Sequence, residues 1–155
     1  LKKLFTVFKG THVKHLIITR VTDGYIFFAS KAYPGARHDS PLVMLSGVPD
    51  RMVGSQKLLA DLGFWESKYP FTITKNRGYL GTTSDGRKFN NFHSSFRVIV
   101  ERTISRLANW KCLRTSFRHG IKTHEQVFHL VCQLTNYNLS FHPLKAPRKA
   151  KKKSF

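Results

Sequence analysis

Val13-Lys14-His15-Leu16-Ile17-Ile18-Thr19-Arg20-Val21-Thr22-Asp23-Gly24-Tyr25-Ile26-Phe27-Phe28-Ala29-Ser30 is the stretch on which the fold turns. Its flanks, residues 13–21 and 25–30, are rich in Ile, Val, Thr and aromatic side chains, the types that fit a pleated, half-buried surface. Asp23-Gly24 stands between them, and a tight hairpin turn needs the positive φ angles that Asp and Gly tolerate. The stretch therefore reads as two antiparallel strands. Upstream, residues 5–8 have the same composition and add another strand.

Downstream, Tyr33-Pro34-Gly35-Ala36-Arg37-His38-Asp39-Ser40-Pro41 breaks the strand pattern. Asp39 or Ser40 is suited to cap a short helix running into residues 42–45, with Pro41 in its first turn. Leu58-Leu59-Ala60-Asp61 is a short apolar run ending in an acid, followed by Leu62-Gly63-Phe64, the pattern of a buried strand whose last residue emerges at a sheet edge. Residues 71–74 read as a further short strand, and residues 76–91, with three Gly among Thr, Ser, Asp and Asn, as an irregular loop.

From Ser94 the period changes. Phe96, Val100, Ile104 and Leu107 share one helical face, and Arg97, Glu101 and Ser105 another, with Ser94 or Ser95 as the expected cap. A second helix is predicted over residues 124–139, with Val127, Leu130, Val131, Leu134 and Asn138 as its buried stripe. Trp65 and Trp110 are expected in the core. Strands followed by mixed strands and helices give an α/β domain with one sheet over residues 1–142, and the Lys- and Arg-rich residues 143–155, lacking apolar periodicity, read as a disordered basic tail. That tail has the composition of a nuclear-localisation or phosphate-binding arm, so the nucleus is the expected compartment, with the bacterial cytoplasm as the alternative.

The 155 residues, 41% of them hydrophobic, supply one compact core. Against 27 Lys and Arg stand 8 Asp and Glu, a formal charge of +19. Such a body repels itself unless an anion sits beside it, and nucleic acid is the natural partner. Two cysteines, Cys112 and Cys132, are too few for a disulfide scaffold and are expected as reduced thiols. No stretch approaches the roughly 18 apolar residues of a membrane span, so no membrane partner is expected. The chain opens at Leu1, inside a Lys- and Phe-rich segment, and is expected to continue upstream.

Acids this scarce each call for a reason. Asp23 and Asp85 precede glycines and read as turn residues, Asp50 lies in a loop, and Glu125 at a helix start where the dipole favours an anion. Asp61 and Glu101 differ, since one ends an apolar strand and the other interrupts an amphipathic helix whose other charges are basic. Two-metal phosphoryl chemistry uses carboxylates converging from separate elements on Mg²⁺ or Mn²⁺. The plainer alternatives are a turn acid for Asp61 and, for Glu101, an ion pair with Arg97 at i−4 stabilising by about 0.2–0.5 kcal/mol. The cations likewise have two readings. Lys9, His12, Lys14, Arg97, Arg102, Arg106, Lys111, Arg114 and Arg118 line a DNA channel, or they form a solvated basic face.

Five segments in order resemble the DDE superfamily endonucleases, which include PIF/Harbinger-type and related bacterial insertion-sequence transposases. They are Lys9-Gly10-Thr11-His12-Val13-Lys14, Asp23-Gly24, Pro34-Gly35-Ala36-Arg37-His38-Asp39-Ser40, Asp61-Leu62-Gly63-Phe64 and Arg97-Val98-Ile99-Val100-Glu101-Arg102. Ile104-Ser105-Arg106-Leu107, Trp110-Lys111-Cys112-Leu113-Arg114 and Asn136-Tyr137-Asn138-Leu139 continue the likeness, which covers roughly residues 5–141. The resemblance implies an RNase H-like mixed sheet flanked by helices and a divalent cation, Mg²⁺ or Mn²⁺. It also implies DNA as partner, joined by a homo-oligomer or a separate DNA-binding protein. It makes Asp61 and Glu101 the second and third acids of a catalytic triad that cuts and joins DNA strands, and makes both of them metal ligands, with Asp39 a further candidate at the metal site or a residue that orients a loop or supports a ligand. The first aspartate of that triad belongs on a strand before Lys9-Gly10-Thr11-His12, yet no acid precedes Asp23. A sheet lacking its first strand is therefore expected. A domesticated derivative that binds DNA or protein without cutting remains the alternative.

Overall fold

The computed structural model describes residues 3–9, 13–54, 56–60, 64, 72–73, 75–115 and 117–145, with residues 3–9 and 72–73 described by their backbone alone. Their strands are β1 (Lys3–Lys9), β2 (Val13–Arg20), β3 (Ile26–Ala29), β4 (Tyr33–Pro34), β5 (Leu58–Ala60) and β6 (Thr72–Ile73). The sheet order is β3-β2-β1-β5-β6, with β4 also paired to β2. β1 runs antiparallel to β2, Phe5 opposite Ile18, and parallel to β5, Phe5 beside Ala60; β5 and β6 are parallel. The strand expected over residues 5–8 is β1, and it lies between β2 and β5. Its Leu, Phe, Thr and Val residues suit a central strand.

Both faces of this sheet are covered, which is why β2 reads as the unbroken apolar run Leu16-Ile17-Ile18. Leu16 and Ile18 pack with Leu58, Ala60 and Phe64 against α1 (Asp39–Leu45) through Leu42 and Val43. Ile17 faces the opposite way, toward Leu107 of α3 (Ser84–Ala108), Leu113 of α4 (Lys111–Arg114), and Phe128 and Val131 of α5 (Ile121–Phe141).

The Asp23-Gly24 signal marks the β2–β3 turn, but residues 21–25 separate the strands, a longer connection than the tight turn expected between residues 21 and 25. The longer tip docks on the helical layer: Thr103 Oγ1 donates to Gly24 O at 3.1 Å, and Leu144 N donates to Asp23 O at 3.2 Å. Gly24 has φ +80°, and a Cβ there would sit 2.5 Å from Thr103 Oγ1.

The loop expected over residues 76–91 is helical instead, as α2 (Gly78–Thr82) and the first turns of α3. The cap is Thr83, not Ser94 or Ser95; its side chain accepts from Gly86 N at 3.0 Å, a contact worth about 1 kcal/mol. Gly86 breaks nothing here. It lets α3 approach α2 so closely that a Cβ would lie 1.7 Å from Leu80 O. Asn90 clamps the junction, accepting from Asn76 N at 2.8 Å and donating to Asn76 O at 3.1 Å. Ahead of α1, the cap position falls to His38, so neither Asp39 nor Ser40 serves as the cap.

α5 begins at Ile121, three residues early; Val131 and partly buried Val127 of the expected stripe face the core, but the buried face is His124, Phe128, Val131, Cys132, Thr135 and Leu139. Leu130 and Leu134, expected inside, are 53% and 40% exposed, and Asn138 is exposed as well. Polar residues with partners in the core turned the helix. His124 meets His15, and Thr135 accepts from Trp110 Nε1 at 3.2 Å, which leaves that indole partly exposed rather than in the core. Both cysteines are free thiols, and burial pushes the Cys132 thiol up to about 12. Leu144, expected in the disordered tail over residues 143–155, instead packs with Ile99 and Leu139, while residues 146–155 of that tail lie outside the described residues, as does Trp65. Among the described residues no helix is long and apolar enough to cross a membrane.

Candidate metal centre and nucleic-acid interface

Glu101 lies in the C-terminal half of α3, one residue after Val100. Val100 is buried against Val21 and Leu59, with Phe96 and Ile104 packed alongside. This contact docks α3 on β5, because Leu59 is the strand residue whose side chain faces the helices while Leu58 and Ala60 face α1. Glu101 itself is 55% exposed and holds Arg97 Nε at 2.8 Å, the i,i+4 pair anticipated as its plainer role. Asp61 directly follows β5 and lies outside the described residues, so its carboxylate has no stated position.

The strand preceding Lys9-Gly10-Thr11-His12 is β1, and Lys3–Lys9 contains no acid. Asp39 is fixed by Lys14, whose Nζ donates to its Oδ1 at 2.8 Å and to Arg37 O at 2.6 Å. Lys14 is opposite Lys9, four residues past the Phe5–Ala60 level, or about 13 Å along the strand. Asp23 is a turn acid, as read. Burial opposes its ionisation, but the Arg20 guanidinium at 2.7 Å and the Tyr25 amide at 3.1 Å outweigh it and hold the carboxyl below its ordinary range. Asp85 sits in the first turn of α3 rather than in a turn and pairs with Lys88 at 3.2 Å. Glu125 accepts from Ala32 N at 3.0 Å, tying α5 to the residue before β4. Among the described residues, no group of three or more His, Cys, Asp or Glu side chains is placed to hold a metal ion.

The basic residues divide by what they already hold. Lys14 and Arg97 are engaged by Asp39 and Glu101. Arg106 Nη1 donates to Asn138 Oδ1 at 3.1 Å and to His142 O at 2.8 Å, satisfying a carbonyl at the end of α5. Arg102, Lys111, Arg114 and Arg118 are exposed on α3, α4 and the segment after it. Lys9 ends β1, described by its backbone alone, and His12 lies outside the described residues.

Two features escaped the sequence reading. His15 is fully buried, with Nδ1 3.1 Å from Ser30 O and Nε2 3.2 Å from His124 Nδ1, and Phe128 stacks on it at 3.8 Å. Donation from Nδ1–H to the carbonyl leaves Nε2 as acceptor for His124, so the His15 ring is neutral. Burial lowers His15 to about 4 despite the Ser30 hydrogen bond, and lowers His124 as well. The signal was a histidine inside the apolar run of β2. Asn136 is the second feature: it accepts from Ile26 N at 2.8 Å and donates to Ile26 O at 2.9 Å, locking α5 onto the edge strand β3. On the α1 face, Ile18, Phe28, Val48, Met52 and Leu58, with Arg51 and Lys57, line a cavity of about 230 Å³.

The family described as DDE superfamily endonuclease matches residues 2–136. No curated protein and no solved structure matches the chain.

Proposed function

Because the chain belongs to the DDE superfamily endonucleases, we propose that it is an RNase H-like domain that cleaves DNA strands and transfers the new 3′ hydroxyl to target DNA, with Asp61 and Glu101 as its metal-holding acids. One observation carries the reading: Val100, next to Glu101, packs on Leu59, two residues before Asp61. The antiparallel β1-β2-β3 unit extended by parallel β5 and β6 supports the RNase H-like assignment.

The family generally uses divalent ions, and a pair of such ions sits about 3.5–4 Å apart on shared carboxylates. With no acid on β1, Asp61 and Glu101 alone do not complete a centre of that kind. The part of this chain's own residues is then to present two acids beside a basic surface of Arg102, Lys111 and Arg114 that holds phosphates without reading bases. The acid-free β1 equally favours a second reading, a derivative that binds DNA without cutting it.

The test adds the missing carboxylate. Thr6 follows Phe5, the neighbour of Ala60, and lies opposite Ile17, on the α3 face. The parent chain is expected to be inert, and Thr6→Asp to show Mn²⁺- or Mg²⁺-dependent nicking of duplex DNA that Asp61→Asn or Glu101→Gln abolishes while DNA binding persists. A Mn²⁺-dependent rise in the melting temperature of Thr6→Asp, lost in Glu101→Gln, reads metal binding separately. A Thr6→Asp chain that is folded yet neither binds Mn²⁺ nor nicks favours the binding-only derivative, and nicking that survives both acid substitutions places the chemistry elsewhere.

A further inference from the structure

We propose that the cavity on the α1 face is a binding site for a small organic carboxylate with a hydrocarbon body. It holds about 230 Å³, below the roughly 300–1,000 Å³ of pockets for drug-sized ligands. The lining is graded. Ile18, Val48 and Leu58 are buried, Phe28 and Met52 are partly so, and Arg51, Gln56 and Lys57 are exposed. An occupant therefore meets hydrocarbon at the inner end and cations where the cavity reaches solvent.

The two ends select the ligand. Of the described residues lining the cavity, two are cations and none is an acid, so an anionic head is matched and a cationic one repelled. Arg51 presents a planar fork that can pair with both oxygens of a carboxylate, and Lys57 adds a point charge. The inner side chains offer nothing to hydrogen-bond beyond the weak sulfur acceptor of Met52. A nucleobase would leave its polar edge unpaired against them, whereas a hydrocarbon body has no such edge.

The walls are fixed by contacts within the protein itself. Arg51 ends the short helical turn Pro49–Arg51, and its guanidinium lies over the Phe28 ring, 5.6 Å from the centroid. Met52 N donates to Pro49 O at 3.1 Å, and Gln56 Oε1 accepts from Val53 N at 3.4 Å, which orders the segment between them. Ile18 and Leu58 belong to β2 and β5 and pack in the core with Val48. Leu59 faces Val100 of α3 on the other side of the sheet, so the cavity lies away from Glu101 and is a separate site.

The test is NMR of the full chain, labelled at its methionine methyl groups and titrated with octanoate. The chain has two methionines: Met52 lines the cavity, and Met44, 51% exposed on α1, does not. The Met52 methyl should shift and saturate with a dissociation constant below about 1 mM, while Met44 holds. Acetate, the head without the body, and 1-octanol, the body without the charge, should each bind at least about tenfold more weakly. Arg51→Gln combined with Lys57→Gln should raise the octanoate dissociation constant about tenfold. Both positions are exposed, so the melting temperature should hold. Lys111→Gln with Arg114→Gln removes the same charge elsewhere and should leave the constant within about twofold. An unmoved Met52 methyl, equal shifts of both methyls, 1-octanol binding as well as octanoate, or equal losses in the two double variants overturns the proposal. Thymidine 5′-monophosphate shifting Met52 at lower concentration than octanoate overturns it too, and makes the cavity a nucleotide site.

Discussion

Acidification should unfold this protein through His15. The ring is fully buried under Phe128, accepts from His124 and donates to Ser30, so the folded state holds it neutral. Burial lowers its pKa from 6.5 to about 4, and at 1.36 kcal/mol per unit that gap is worth about 3 kcal/mol. The folded value is the depressed one, so this stabilisation is fully present above pH 6.5 and is lost as pH falls toward 4. By pH 5 about 2 kcal/mol of it should be gone. His124, also lowered by burial, acts in the same direction, whereas Asp23, held below its ordinary range, loses its contribution only under more acidic conditions. Urea denaturation at pH 7 and pH 5 measures the effect in the parent and in His15→Gln, whose amide can still donate to Ser30 and accept from His124. The parent should lose about 2 kcal/mol more between the two values than the variant does. Equal losses in both proteins would refute the reasoning.

Gly86→Ala should destabilise the protein by about 1–3 kcal/mol, because its Cβ would meet Leu80 O at 1.7 Å; thermal melting that shows the gain expected from helix propensity alone would contradict this packing. Binding to duplex DNA of unrelated sequences should weaken steeply with salt. Replacing Arg102, Lys111 and Arg114 together by Gln should reduce the log–log slope by about 3, near 0.9 for each phosphate no longer neutralised. Fluorescence anisotropy measures it, and an unchanged slope would remove these three from the interface.

Much of the sheet was legible because its signals are local. The hydrophobic run of β2, the Asp-Gly turn and the Leu-Leu-Ala strand each state their conformation within a few residues. The helical layer was less so. Gly81 and Gly86 look like breakers in a window of sequence, and only the approach of α3 to Leu80 shows why glycine stands at position 86. The stripe of α5 was misplaced because apolar periodicity ignores His124 and Thr135, polar side chains buried with partners from distant segments. For the site, Glu101 stood out as an acid among cations, and its exposed pairing with Arg97 was readable from their spacing. The roles of Lys14 and Arg106 were not, since Asp39 and the end of α5 reach them only through the tertiary fold.

The convergence of Asp61 and Glu101 is the claim on which the functional account stands, and cross-linking measures it directly. In a chain carrying Cys112→Ser and Cys132→Ala, cysteines placed at 61 and 101 should be bridged within one molecule by a bis-maleimide spanning roughly 8 Å, the reach of acids that share ions about 3.5–4 Å apart. A folded protein in which both thiols are modified but never bridged would contradict it.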